Sequence, residues 1–399
     1  LSASAATVSL AGLTSQSVQR TATGFAEVDR VLGGGLARAS ITLLSGEPGV
    51  GKSTLLLALA DKATKALYIS GEESAEQVAG RLKRLSLAGS SIAFSSTTDI
   101  TAIAQTVRVE HPDIVVIDSL QTMSAGEFET SSASPTKLRA VVAELVAVAK
   151  ETGVAVVLIG HVTKEGVAAG PKAIEHLVDV VLTLEGAEHQ ELRFLHAAKN
   201  RFGPTDEVGV FQMNEYGLKE VSNPSALFLA ERHQGAGSCV TAVVEGSRAL
   251  LIELQALVAR SHLTYPKRAT TGFDVNRLQV LLAVLGERAQ VRTNFSDVYI
   301  NLAGGFRSRE PALDLAVCAA VVSATYKAVL PKDVVIFGEV GLGGEVRPVT
   351  GMERRLSEAA RLGFTQALIP FLSDSVKVPK GLALACVHSV SEAVEWVKH

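Results

Sequence analysis

The nine residues Gly46-Glu47-Pro48-Gly49-Val50-Gly51-Lys52-Ser53-Thr54 have the types and spacing of a phosphate cradle. Glycines at the first and sixth positions let backbone N–H groups curl around phosphate oxygens, and the helix that follows points its positive dipole end at the same spot. At this spacing Lys52 is expected to reach the β- and γ-phosphates of ATP, and Ser53 to ligate Mg²⁺. A metal-directed carboxylate is expected from Asp118, at the C-terminal end of the apolar run "DIVVID". That is where parallel sheets bind ligands, and Asp118 would hold the metal through water. Hydrolysis also needs a carboxylate that orients or deprotonates water. "YISGEES" offers Glu72 and Glu73 at the end of the strand after the P-loop helix. Glu72 is the favoured one, the alternative being that both are solvated in the first turn of the next helix. His161 ends the run "VAVVLIGH", where it is either a γ-phosphate sensor or a structural cap.

These groups require a scaffold that brings several strand ends to one rim. From about residue 21 to residue 222, short β-rich runs ("SITLLSG", "ALYISG", "SIAFSS", "DIVVIDS", "VAVVLIG") alternate with helical patterns. Such alternation predicts an α/β fold, a mostly parallel sheet covered by helices on both faces. The stretch "ELRFLHAAKNRFGPTDEVGVFQMNEYGLKEV" has no helical pattern and predicts antiparallel strands closing the sheet. Residues 1–20 read as a flexible tail. A Pro-containing break at 222–228 marks a domain boundary near residue 223, and long strand-like runs mix with helices from 223 to 399. "KNRFG", Lys199 to Gly203, places two cations around Asn200 before a Gly-Pro turn, roughly 150 residues beyond the P-loop. On composition alone it reads as a solvated turn.

Bulk properties narrow the function classes. A chain of 399 residues predicts two or three domains. Aromatic residues are 5%, too few for base stacking to dominate single-strand binding, and the net charge of −3 means that any nucleic-acid contact must come from a local basic surface. Cys239, Cys318 and Cys386 have no CxxC spacing, which argues against a disulfide framework and against a zinc site in this chain. With no long apolar run and no basic leader, the expected location is the cytoplasm, away from membranes. The first residue is Leu, consistent with a trimmed chain.

The order of P-loop, glutamate, strand-end aspartate and polar strand tip resembles the RecA-like ATPases. "YISGEES", "GHVTKEG", "AGPKAIEHLVDVVLTLEG" and above all "KNRFG" are similar to motifs of the bacterial RadA (Sms) family of DNA-repair ATPases. The resemblance spans residues 21–399. It implies a hexameric ring in which ATP lies between subunits and Lys199 and Arg201 of KNRFG complete a neighbour's site, with Asn200 unassigned. It implies DNA-facing loops after Asp118 and after His161, with Lys164 and Lys172 as phosphate contacts, and action on single-stranded and branched DNA in recombination, by branch migration. The second domain resembles the proteolytic domain of Lon. "REPALDLAVCAA" puts Ala312 where that family has its serine, and "FGEVGLGGEVRPVTGMERRL" puts Glu353 where it has its lysine, so no peptidase is expected. Arg307 and Arg309 in "GGFRSRE" are candidates for a basic DNA-facing surface or a solvated loop. RadA proteins usually begin with a four-cysteine zinc finger, which this chain does not show, and contact with the RecA recombinase is a partnership tied to that finger. The competing readings are a RecA-like signalling ATPase acting on proteins and an ATP-dependent Lon-type protease.

Overall fold

A computed structural model of the chain describes residues 18–89, 91–124, 135–161, 174–186, 191–373 and 376–399. The chain divides into two compact units that meet between Ser222 and Asn223.

In the first unit, β1 (Arg20–Thr21) and β2 (Leu36–Ala37) pair as a short ribbon around α1 (Ala26–Leu32). The alternating segment then runs β3 (Ile41–Gly46), α2 (Lys52–Lys62), β4 (Ala66–Ser70), α3 (Ala75–Arg84), β5 (Ile92–Ser95), α4 (Ile100–Glu110), β6 (Ile114–Asp118), α5 (Pro135–Thr152), β7 (Ala155–His161) and β8 (Val180–Glu185). Three antiparallel strands follow: β9 (Leu192–Asn200), β10 (Val208–Asn214) and β11 (Gly217–Glu220). The nine strands lie in the order β11-β10-β9-β8-β3-β7-β6-β4-β5, and every pair from β8 to β5 is parallel.

The central strands are apolar on both faces because both are covered. Leu44, Tyr68, Val116 and Val157 face one core, shared with Leu55, Leu56 and Leu59 of α2. Leu43, Leu67, Val115 and Val156, each one residue away, face a second core with Val141, Leu145 and Val148 of α5. A period-2 side-chain alternation inside an unbroken apolar run is the signature of a doubly covered sheet.

The second unit opens with α6 (Pro224–Leu229). The expected break is thus a short helix, because Asn223 Oδ1 accepts from Ala226 N and Pro224 at the first position presets φ. The stretch "SCVTAVVEGSRALLIELQALVA", strand-like throughout in sequence, is a hairpin, β12 (Ser238–Glu245) and β13 (Arg248–Arg260), turning at Gly246. Next come β14 (Arg268–Thr271), α7 (Val275–Ala289), β15 (Ser296–Leu302), α8 (Asp314–Tyr326) and β16 (Val334–Ile336). The "VVIFGEVGLGGEVRPV" run does not stay in one strand. It divides into β16 and the small ribbon β17 (Glu339–Val340) with β18 (Val346–Arg347), because Gly344 at φ 87° turns the chain back. The unit closes with α9 (Met352–Arg361), β19 (Gln366–Pro370), β20 (Ala383–Val387) and α10 (Val390–Lys398), giving the sheet order β14-β15-β13-β12-β16-β19-β20. Helix α8 is buried nearly all round, as its unrelieved apolar sequence requires. Among the described residues, no helix is long and apolar enough to cross a membrane.

Candidate nucleotide-binding site

Sheet register alone gathers the chemical residues. Gly46 at the end of β3 pairs with His161 at the end of β7, and Ser70 at the end of β4 pairs with Asp118 at the end of β6. All four strand ends therefore form one rim, the C-terminal edge of the parallel sheet. The His161 side chain lies outside the described residues.

Between β3 and α2 the chain needs its glycines. A Cβ at Gly46 would lie 2.4 Å from the Leu184 carbonyl oxygen, and Gly51 sits at φ 113° just before α2. Lys52 is buried, and its Nζ donates to the carbonyls of Gly46 (2.8 Å) and Glu47 (2.9 Å). Burial pulls its ammonium below the ordinary lysine range, against the attraction of Asp118 and Glu72. Ser53 follows in the first turn of α2.

Opposite, Asp118 is buried and its Oδ2 accepts from the Tyr68 hydroxyl at 2.7 Å. The two glutamates of "GEES" diverge. Glu73 pairs with Arg81 at 2.5 Å, along α3, whereas Glu72 turns back to accept from Ser119 Oγ at 2.5 Å. Glu72 thus sits beside the β6 end and Glu73 is engaged elsewhere. Tyr68, Ser119 and Arg193 were not singled out from sequence. Arg193 is buried on β9 and its Nε donates to the Val50 carbonyl at 3.0 Å, bracing the P-loop from behind. A buried Tyr on an apolar strand reads as core, so only the register with Asp118 reveals it; an Arg inside the apolar run "LRFL" was the one available hint of Arg193.

The residues present fit a nucleotide with Mg²⁺. The loop has the glycines that a backbone cradle requires, Ser53 stands at the helix start, and Asp118 is a buried carboxylate with its second oxygen unclaimed by a donor among the described residues.

KNRFG lies at the other rim. Asn200 pairs with Val180, the first residue of β8, and Arg201 N donates to the Asp179 carbonyl at 3.1 Å. Asp179 in turn binds the first residue of β3, its Oδ2 accepting from Ile41 N at 3.0 Å. Five residue steps separate Ile41 from Gly46, about 16 Å of strand. Lys199 Nζ is held by the carbonyls of Glu175 (2.8 Å) and Val178 (2.7 Å), and burial pulls its ammonium below the ordinary range. The Arg201 side chain is 58% exposed and only loosely paired with Asp179, at 3.8 Å. Asn200 Oδ1 accepts from Phe202 N at 3.0 Å, a turn-forming role. Lys164 and Lys172 lie outside the described residues.

In the second unit Ala312 is fully buried in a one-turn 3₁₀ segment, and Glu353 Oε1 accepts from Lys377 N at 2.8 Å. Two ion pairs flank Ala312 in sequence. Glu310 binds the fully buried Arg355, and the buried Asp314 binds Arg277. Arg307 and Arg309 are exposed on the rim of a cleft of about 710 Å³, which Thr270 to Val275 also line.

A P-loop on the central strand of a mostly parallel sheet, with carboxylates at the tips of β6 and β4 on the same rim and an antiparallel extension, defines a RecA-like ATPase domain, here followed by a second mixed α/β domain. Family comparison agrees with both parts: residues 8–167 match the AAA domain family, and residues 276–373 match the family described as subunit ChlI of Mg-chelatase. Proteins named DNA repair protein RadA align over nearly the whole chain. That of Pseudomonas aeruginosa is 46% identical over 390 residues, 97% of this chain and 86% of the relative. That of Escherichia coli is 44% identical over 389 residues (96% and 85%), and that of Bacillus subtilis 44% over 382 residues (94% and 83%). The chain belongs to the RadA family. A crystal structure of the RadB recombinase covers 50% of this chain and 99% of its own at 21% identity, with a TM-score of 0.41, a likeness too low to add to this.

Proposed function

We propose that this chain is a DNA-dependent ATPase of homologous recombination and repair, assembled as a hexameric ring that drives branch migration on single-stranded and branched DNA. The observation that carries the reading is the placement of Arg201 about one sheet length from the P-loop of its own chain. A cation exposed at the rim opposite the phosphate cradle cannot serve its own ATP. Head-to-tail copies in a closed ring would bring it to a neighbour's. Similarity over nearly the whole of this chain to proteins named for DNA repair supports the choice of DNA as the partner.

In this reading Lys52 leaves the Gly46 and Glu47 carbonyls for the β- and γ-phosphates. Glu72 orients the attacking water and takes its proton, held in place by Ser119. Ser53 and Asp118 would hold Mg²⁺, which supplies charge neutralisation across the phosphate oxygens. Arg201 of the adjacent subunit meets the charge that develops on the γ-phosphate, while Lys199 fixes the segment that carries it. The His161 strand tip serves as the γ-phosphate sensor. The second domain acts as a scaffold for assembly and DNA contact, with Arg307 and Arg309 on its basic face and Lys164 and Lys172 contributing from the ATPase domain.

A mixed-subunit assay tests the reading. Lys52→Ala and Arg201→Ala subunits, each inactive alone, are combined with and without single-stranded DNA. Recovery of ATP turnover in the mixture places the two residues in different subunits of one site; no recovery at any ratio removes the trans role. Turnover indifferent to DNA would shift the reading to a protein-directed ATPase.

A further inference from the structure

Tyr68 is the one fully buried tyrosine of the first unit's core, yet its hydroxyl is not spent on the backbone. It reaches Asp118 Oδ2 at 2.7 Å. The route follows from register. Tyr68 on β4 is directly opposite Val116 on β6, and Val116 and Asp118 share a strand face two residues apart. The phenol therefore leans along the strands from the Val116 position to the Asp118 carboxylate, a diagonal reach that only a long side chain spans. A phenol at this position has a single O–H to donate, and Asp118 Oδ2 accepts that hydrogen bond.

We propose that Tyr68 is a positioning residue for the metal-directed carboxylate: its hydroxyl locks the Asp118 rotamer and occupies Oδ2, leaving Oδ1 to face the hydration shell of the nucleotide-bound divalent cation. This rests on the reading of Ser53 and Asp118 as the metal side of the ATP site. One further feature supports it. The ring lies in the same buried core cluster as Leu55, Leu56 and Leu59 of α2, the helix that starts with Lys52 and Ser53, so the core that seats the P-loop helix also seats the donor. Outer partners of this kind orient metal-directed ligands, and their loss typically costs 10–100-fold in metal affinity where the ligand is direct. A ligand acting through water should lose less, about 5- to 10-fold.

The test is Tyr68→Phe, which keeps the ring and removes the donor. ADP binding is measured by calorimetry with Mg²⁺ and in EDTA, beside wild type and Asp118→Asn, with thermal unfolding recorded for each. The expected result is an EDTA affinity within about twofold of wild type and a 5- to 10-fold smaller enhancement of ADP binding by Mg²⁺. Adding Tyr68→Phe to Asp118→Asn should reduce the enhancement no further. An unchanged Mg²⁺ enhancement in Tyr68→Phe, with only a lower melting temperature, would overturn the proposal and leave the hydroxyl as core. If Asp118→Asn itself keeps the full wild-type enhancement, the metal assignment fails first, and the role of Tyr68 with it.

Discussion

Ser119 Oγ donates to Glu72 Oε1 at 2.5 Å, which ties the glutamate after β4 to the residue that follows Asp118. One dipeptide at the end of β6 thus governs both carboxylates, Asp118 directly and Glu72 through the serine. Gly71 allows the approach: a Cβ there would lie 2.3 Å from Thr122 Oγ1, so any larger residue would push the Glu72 segment off the turn after β6. If Glu72 activates water, Glu72→Gln should lower kcat by about 10²–10⁴-fold with nucleotide affinity unchanged. Ser119→Ala leaves the carboxylate but frees its rotamer, and one hydrogen bond of about 1 kcal/mol predicts a loss of about five- to tenfold. Steady-state turnover beside equilibrium ATP binding separates the two effects. A Glu72→Gln variant with wild-type kcat would move the water-activating role to another group.

Lys52 gives a pH signature whose sign follows from its environment. Burial lowers its pKa below the ordinary lysine value, so the free protein loses this charge at lower pH than an exposed lysine would. A polyphosphate beside the ammonium favours the charged form and raises the pKa again. The alkaline limb of kcat/KM, which reports the free protein, should therefore fall below that of kcat, which reports the ATP complex. Coincident limbs in the two profiles would mean that Lys52 does not titrate there.

The parts of this site that were legible in sequence are those whose chemistry demands a fixed spacing. The P-loop, the apolar strand ending at Asp118 and the "GEE" step carry their own geometry, because a phosphate cradle and a buried parallel strand each accept few sequences. Tyr68 and Ser119 were invisible because their roles are created by strand register, which a single sequence does not print. Arg201 was legible as a candidate only through family resemblance. Its position at the opposite rim depends on β9 returning antiparallel to β8, a long-range pairing. In the second unit the missed ion pairs have the same origin, since Arg355 lies 45 residues from Glu310.

That Arg355–Glu310 pair predicts a stability effect confined to the second unit. Arg355 is fully buried, and besides Glu310 it donates to the carbonyls of Ala242 and Thr350. Arg355→Met strands the Glu310 carboxylate, which also accepts from Val244 N at 3.0 Å, and should cost about 3–5 kcal/mol. Adding Glu310→Gln removes the unpaired charge while keeping an acceptor for Val244, and should recover at least half of that loss. Urea unfolding followed through a probe in the second unit is the measurement. A double variant no more stable than Arg355→Met would mean that lost packing, not the stranded charge, dominates.

Arg307 and Arg309 give a prediction about DNA binding. Both side chains are exposed beside the Thr270–Val275 cleft, and no carboxylate among the described residues pairs with either. Their charge is therefore available to a phosphate backbone without breaking an internal bridge. If both contact DNA, Arg307→Gln/Arg309→Gln should leave thermal stability and basal ATP turnover unchanged while weakening DNA binding. The decisive quantity is the slope of log affinity against log salt, because each phosphate contact contributes about 0.7 to that slope for a single strand and about 0.9 for a duplex. Loss of two contacts should flatten the slope by about 1.4 on single-stranded DNA. Replacement by Lys keeps the charge and should restore the slope. Weaker binding with an unchanged slope would point to a shape or assembly effect, and an unchanged affinity would return both arginines to the solvated loop.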